Sequence, residues 1–117
     1  MATSELRTLL AAGDVVKVPF PYTDRATRQR RPALVVSGAD LHRKHGLCWV
    51  LMITSAENRG WEGDVKIKDL AHAGLPAPSV GRSAKIATID ARDGERLGRL
   101  SPGTFRAVMT HLQAVLR

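Results

Sequence analysis

The sequence has 117 residues, a length suited to one domain, which we expect to span residues 1–117. Lysine and arginine total 18 against 11 acidic residues, and the net charge of +7 favours nucleic acid as a partner, then an acidic protein, and a membrane surface last. No apolar run approaches the ~18 residues that a membrane helix needs. The sole cysteine, Cys48, lies in an apolar run and excludes an intrachain disulfide, so we expect a cytoplasmic protein.

The first part of the chain predicts two strands. A short helix or a flexible segment is expected over residues 1–12, before a strand over Asp14–Phe20 that combines β-branched residues with terminal prolines. A polar loop follows at 23–30. Pro32 has no N–H and biases Arg31 toward extended geometry, so Arg31 is expected at the entrance of a buried strand over Ala33–Ser37.

The middle of the chain predicts a polar connection and two further strands. The connection covers Gly38–Gly46 and contains His42 and His45, which we expect to lie in solvent. The unbroken apolar run Leu47–Ser55 is typical of a central strand. In Asp64–Lys68, apolar and basic residues alternate with a period of two, which predicts an edge or half-exposed strand with one cationic face.

The last part predicts a strand over Val80–Asp90, a short closing strand near Leu97–Leu100 and a C-terminal helix. Ser101 is a good N-cap for that helix, with Pro102 at its first position. The apolar residues of the helix fall on one face: Phe105, Val108, Met109, Leu112, Val115 and Leu116. The elements together predict an α+β domain built on a small β-barrel or a strongly curved sheet.

The motifs of cofactor-dependent enzymes are missing from the sequence. It contains no glycine-rich phosphate loop, no HExxH, no CxxC and no G-x-S-x-G. The four histidines do not share a ligand spacing with carboxylates, so we expect neither a metal nor a cofactor.

The arginines before the second strand are the first sign of a binding site. Guanidinium groups match phosphate oxygens, which favours a phosphate-binding rim, whereas a solubilising loop remains equally open for Arg25, Arg28 and Arg30. We favour a functional role for Arg31, because the strand fixes its position.

Hydroxyls and aromatics supply further candidates. Thr54 and Ser55, at the end of the central strand, would bind a phosphate or satisfy the backbone of their own turn. Tyr22 and Trp61 would stack on bases or cover an edge of the core. Arg82 and Lys85 are three residues apart, so a regular strand would point them to opposite faces and bring at most one into the same pocket.

Five segments in this order, GDVVKVPFPYTD, RRPALVVS, VLMITS, LPAPS and VGRSAKIATID, resemble the PemK/MazF-type toxins of bacterial type II toxin-antitoxin pairs. The resemblance implies a metal-independent endoribonuclease that cuts single-stranded RNA, usually messenger RNA, and leaves 2′,3′-cyclic phosphate and 5′-hydroxyl ends. It also implies a homodimer, a cognate antitoxin and a small SH3-like antiparallel barrel of five to seven strands, shared with CcdB-like toxins.

The resemblance places the catalytic residues at Arg31, Thr54 and Arg82. Two positions depart from the family pattern: Ala84 replaces an aspartate, and Ala87 replaces an arginine that many members carry. A gyrase-binding toxin on the same fold and an RNA-binding homologue without catalysis remain alternatives. The candidate RNA-binding residues are Tyr22, Arg25, Arg28, Arg30, Ser55, Trp61 and Lys85.

Overall fold

The computed structural model describes residues 9–19, 30–58 and 60–117. In these ranges the strands are β1 (Asp14–Pro19), β2 (Arg30–Val35), β3 (Leu47–Ser55), β4 (Asp64–Ile67), β5 (Ser79–Asp90) and β6 (Glu95–Arg99). The helices are α1 (Ala39–His45), α2 (Leu70–Ala73) and α3 (Pro102–Val115), and a 3-10 turn covers Ala91–Asp93. Of the N-terminal segment expected to be a short helix or flexible, residues 9–12 are not helical and residues 1–8 lie outside the described residues.

The six strands form one antiparallel sheet in the order β4-β5-β3-β2-β1-β6. This confirms the predicted α+β class, with a small antiparallel sheet and a C-terminal helix. Over the described residues the sheet remains open, because β4 and β6 are edge strands and do not pair with each other.

Alternating side chains give the sheet an apolar cluster on each face. Val15, Leu34 and Leu51 are cross-strand neighbours in one cluster, which α3 covers with Val108 and α2 with Ala73. In strands β1, β2 and β3 the opposite cluster contains Val16, Val18, Ala33, Val35, Cys48, Val50 and Met52. Burial on both faces explains why the β3 sequence is continuously apolar rather than alternating.

Strand β2 begins earlier than the sequence suggested, at Arg30, so Arg31 and Pro32 lie inside the strand. Pro32 pairs with Lys17 of β1, whereas the pairing of β2 with β3 begins at Ala33. A proline is tolerated here because its missing N–H lies beyond the last paired residue on the β3 side.

The predicted polar connection at Gly38–Gly46 was wrong in one respect, because most of it is helix α1. The helix ends at Gly46, whose left-handed backbone (φ 68°) lets its N–H donate to the His42 carbonyl at 2.8 Å. No residue of α1 is buried, so the helix has no apolar face that periodicity could reveal. His45 is exposed as expected, but His42 is half-buried and its Nδ1 accepts from the Leu10 N–H at 2.8 Å.

Helix α3 begins where the sequence predicted, with Pro102 in its first turn. The backbone of Ser101 is extended, as in an N-cap, yet its hydroxyl donates to Thr104 Oγ1 at 3.1 Å and makes no capping bond to the backbone. The apolar face is shorter than predicted, since Val115 and Leu116 are 56% and 67% exposed. No helix in the described part of the chain is long and apolar enough to cross a membrane.

A buried carboxylate joins β1 to β6. Asp14 is 1% exposed, and its oxygens accept from Arg96 at 3.0 Å, from Arg99 at 2.5 Å and from the Ala11 N–H at 2.9 Å. Cys48 is fully buried, as expected from its apolar neighbours. Burial, and secondarily the charge of Asp14, raise the pKa of its thiol above 9.0, which makes it an unreactive cysteine.

Candidate functional site

A cavity of about 250 Å³ opens where β2 begins and β3 ends. Arg31 and Thr54 both line it. The β2–β3 register explains why: Ala33 pairs with Met52, and continuing the antiparallel pairing by two residues places Arg31 opposite Thr54. The structure therefore brings together two of the three residues, Arg31 and Thr54, to which the family resemblance gives a catalytic role.

The turn between α2 and β5 forms the opposite wall of the cavity. The sequence of this segment, LPAPS, contributed to the family resemblance as a proline-rich turn, without a site residue assigned to it. Ser79 Oγ donates to the Ala77 carbonyl at 2.8 Å, and the Ala56 N–H, just after β3, donates to the Pro78 carbonyl at 3.0 Å. These bonds fix the wall relative to the end of β3. Its members are Leu75, Pro76, Ala77, Pro78 and Ser79.

The Thr54 hydroxyl is held by a residue that the sequence analysis did not select. Thr54 is 8% exposed, and its Oγ1 accepts from Asn58 Nδ2 at 2.7 Å. Asn58 also lines the cavity. The available signal was an amide four residues after Thr54, in a turn that brings the chain back toward the strand end.

Ser55 lines the cavity and also stabilises its own turn. Its Oγ accepts from the Glu57 N–H at 3.1 Å, and its carbonyl accepts from the Asn58 N–H at 3.1 Å. The Ser55 oxygen therefore satisfies the backbone of its own turn, whereas phosphate binding by Ser55 stays a prediction.

Arg30 and the loop before it are placed differently. Arg30 is exposed, and its Nη2 donates to the Lys17 and Asp93 carbonyls, each at 3.1 Å. It does not line the cavity, but it lies next to Arg31 on β2. Tyr22, Arg25 and Arg28 lie outside the described residues, so their roles stay predictions.

Arg82 does not line the cavity with Arg31 and Thr54. Its Nε and Nη2 donate to the two carboxylate oxygens of Asp64, at 3.1 and 2.8 Å, and the two side chains are 8% and 10% exposed. Burial alone would raise the pKa of the Asp64 carboxyl, but hydrogen bonds from Arg82 and the Trp61 backbone, with the Arg82 charge, lower it below 3.8. The hydrogen bond to Asp64 raises the pKa of the Arg82 guanidinium, against the effect of burial.

Trp61 lies against two cations. Arg82 Cζ is 4.4 Å and Lys85 Nζ is 5.2 Å from the centre of its ring, within the range of cation–π attraction. The expectation that Arg82 and Lys85 point to opposite faces applies to a regular strand, which β5 is not. Strand β5 is irregular there: Leu51 pairs with Ile86 and Ile53 with Gly81, so β5 accommodates extra residues and the alternation of side chains is interrupted.

The two departures from the family pattern lie on β5. Ala84 is exposed beside Arg82 and Lys85, and Ala87 packs against the apolar cluster that contains Cys48. In the described ranges no three residues among histidine, cysteine, aspartate and glutamate lie close enough together to hold a metal ion.

A larger cavity, of about 600 Å³, lies between β6 and α3. Its lining includes Arg99, Phe105 and Met109, and it contains none of the residues that the sequence analysis proposed for a site. The smaller cavity is the better candidate for an active site because a guanidinium, a hydroxyl and an amide converge on it.

Comparisons with known proteins agree with this fold. Residues 11–116 match the family model of the PemK-like, MazF-like toxin of type II toxin-antitoxin system. MazF from Deinococcus radiodurans superposes with a TM-score of 0.77 at 23% identity, over 94% of this chain and 98% of that chain. A chain of the MazE-MazF crystal structure from that organism gives 0.73 at 25% identity, over 94% and 98%.

A third similar structure is an endoribonuclease in complex with its cognate antitoxin from a mycobacterial species. It gives a TM-score of 0.71 at 18% identity, over 94% of this chain and 95% of that chain. No curated protein matches the sequence significantly. Since the family model covers nearly the whole sequence, the chain belongs to the PemK-like, MazF-like toxins of type II toxin-antitoxin systems.

Proposed function

We propose that this toxin is a metal-independent endoribonuclease that cuts single-stranded RNA, messenger RNA above all, and thereby inhibits translation. The observation that carries the proposal is the presence of Arg31 and Thr54 in one cavity at the ends of paired strands. A guanidinium and a hydroxyl on neighbouring strands can contact different oxygens of one phosphate. The similarity to an endoribonuclease bound to its antitoxin supports the same activity.

The reaction needs groups that stabilise charge. The ribose 2′-hydroxyl gives its proton to a base as its oxygen attacks the adjacent phosphorus, the bond from phosphorus to the 5′-oxygen breaks, and that oxygen takes up a proton, so the products are a 2′,3′-cyclic phosphate and a 5′-hydroxyl. Negative charge grows on the phosphorane oxygens, where the Arg31 guanidinium stabilises it and the Thr54 hydroxyl donates a hydrogen bond. Arginine has a pKa above ~12, so Arg31 is not assigned the role of general base.

The remaining candidates would bind RNA on either side of the cut. Arg30 and the loop arginines Arg25 and Arg28 would attract the phosphate backbone, and Ser55 would contact it at the rim of the cavity. Trp61 is 42% exposed and would stack on an unpaired base. Arg82 would contribute through its bonds to Asp64 and its contact with Trp61, and Lys85 through its charge beside the same ring.

The toxin would act in the cytoplasm as a homodimer under the control of a cognate antitoxin. The MazE-MazF relatives support the antitoxin, and the open edges of the sheet support pairing with a second copy. Sedimentation at micromolar concentration should give about twice the chain mass of 12.7 kDa. A monomer that still cleaves RNA would rule out the dimer as the active form.

The test of activity is incubation of the purified toxin with mixed single-stranded RNA in EDTA, followed by sequencing of the fragment ends. We expect cutting to persist in EDTA and to leave 5′-hydroxyl ends. Activity that chelation abolishes, or 5′-phosphate ends, would overturn the mechanism. RNA that binds and stays intact would identify the non-catalytic alternative, and gyrase inhibition without cutting would identify the gyrase-binding one.

A further inference from the structure

We propose that Asn58 is a positioning residue that makes the Thr54 hydroxyl a hydrogen-bond donor to the scissile phosphate. The inference deepens the proposed function and rests on it. Asn58 Nδ2 donates to Thr54 Oγ1 at 2.7 Å, a short bond, and both side chains line the same cavity. Nothing in the sequence motifs assigned Asn58 a role.

The direction of this bond determines what Thr54 can do. A hydroxyl has one hydrogen and two lone pairs, and it rotates to suit its partners. When the Asn58 amide occupies a lone pair, the hydrogen of the Thr54 hydroxyl must point elsewhere. The phosphate oxygens in the cavity are acceptors, so the amide leaves Thr54 oriented to donate to them.

The backbone around Asn58 is fixed by bonds that do not involve its side chain. The Asn58 N–H donates to the Ser55 carbonyl at 3.1 Å, and the Ala56 N–H donates to the Pro78 carbonyl at 3.0 Å. The Glu57 N–H donates to Ser55 Oγ at 3.1 Å. Replacing the Asn58 side chain should therefore leave the turn in place, and a loss of activity would report on Thr54.

The effect should be larger on the chemical step than on RNA binding. The phosphorane carries more charge on its oxygens than the ground-state phosphate, so an oriented donor is worth more in the transition state. We expect Asn58→Ala to lower kcat about tenfold, the loss of one neutral hydrogen bond, while KM changes less than about twofold.

A double-mutant cycle separates positioning from general structural damage. If Asn58 acts through Thr54, Asn58→Ala should cost nothing further in a Thr54→Ala background. Equal losses in both backgrounds would overturn the proposal. Thermal unfolding of each variant checks the fold.

Asn58→Asp supplies a second variant of the same shape. A carboxylate only accepts, so the Thr54 hydroxyl would donate to it and no longer to the phosphate. We expect a larger loss of kcat than for Asn58→Ala, and one that persists at high salt, where simple charge repulsion is screened. Full recovery of the Asp variant at high salt would overturn the assigned bond direction.

The same cycle is then measured as affinity for RNA with a 2′-deoxy nucleotide at the cut, which cannot be cleaved. If the wild-type toxin binds this RNA but cuts no RNA, the proposed function fails, and the inference fails with it because no phosphate is then scissile. If the wild type cuts RNA and coupling between the two positions is absent from kcat, the inference alone fails. A wild type that neither cuts nor binds RNA overturns both.

Discussion

Arg31 and Arg82 are the two arginines that the family pattern nominates for catalysis, and the fold places them in different surroundings. Arg31 lines an open cavity beside Thr54 at the ends of β2 and β3. Arg82 is on β5, where both oxygens of the Asp64 carboxylate accept from its guanidinium and Trp61 lies against it. A carboxylate at 2.8 Å offsets most of the attraction that Arg82 would exert on a phosphate.

This difference shows that the role of an arginine depends on contacts across the sheet more than on the motif around it. We infer that Arg31 acts on the phosphate directly, whereas Arg82 holds β4 and Trp61 in place. Substitution of Arg31 should therefore lower catalysis, whereas disruption of the Arg82 ion pair should lower stability.

The largest effect is expected at Arg31. Arg31→Lys keeps the charge but loses the planar fork, and we expect kcat for RNA cleavage to fall about 1,000-fold, the range seen when a charge-stabilising donor is removed. Arg106→Lys on the exposed side of α3 is the matched control and should cleave normally. Near-normal cutting by Arg31→Lys would mean that Arg31 contributes only general positive charge.

The second effect is on stability. Asp64→Ala leaves the Arg82 guanidinium buried without its carboxylate and should lower the free energy of unfolding by about 3 kcal/mol in chemical denaturation. The double variant Asp64→Leu/Arg82→Met removes both charges and should recover most of that loss. If the double variant is no more stable than Asp64→Ala, the ion pair is not what stabilises this edge of the sheet.

The third prediction is the pH dependence of the same pair. The pKa of Asp64 is lowered in the folded state, so its contribution to stability is full above the unfolded value of about 3.9 and is lost as pH falls through the folded value. Unfolding free energies measured from pH 5 downward should decline more steeply for the wild type than for Asp64→Leu/Arg82→Met. Parallel curves would contradict the assignment.

The smallest expected effect is on RNA affinity, and it should differ between the two tryptophans of the chain. Trp61, 42% exposed between cations, should stack on a base, and Trp61→Ala should weaken RNA binding about tenfold. Trp49, 49% exposed on β3, makes the matched control, because its exposure is similar and it lies outside the cluster that Arg82 and Lys85 form with Trp61. Equal effects of the two substitutions on affinity would remove Trp61 from the RNA surface.

The pairing of Arg31 with Thr54 was predicted from the family resemblance, and the structure supplies its geometric reason. A strand entrance at Pro32 and a strand end at Thr54 meet at one edge when the two strands pair antiparallel, as β2 and β3 do. Apolar runs, and the alternation in Asp64–Lys68, located all six strands to within a few residues. Helix α1 was not predicted because none of its residues is buried, so its sequence has no apolar periodicity.

The contacts that decide roles could not be predicted in the same way. The partner of Arg82 is 18 residues away on another strand, and many acidic residues were equally available by sequence. The interrupted alternation in β5 has no motif of its own, so the shared contact of Arg82 and Lys85 with Trp61 required the fold. No role was predicted for Asn58, because an amide in a turn is common and the sequence does not indicate its hydrogen-bond partner.

Labelling of Cys48 can report on the opening of strand β3. The sole cysteine lies on β3, fully buried and with a raised pKa, and the same strand ends at Thr54. A thiol reagent can reach it only when the central strand separates from its neighbours, so the labelling rate counts openings of the strand that carries the site. Any RNA or antitoxin that binds only the closed form should slow the labelling of Cys48 in proportion to its occupancy. The measurement needs no engineered label, because the cysteine is the toxin's own.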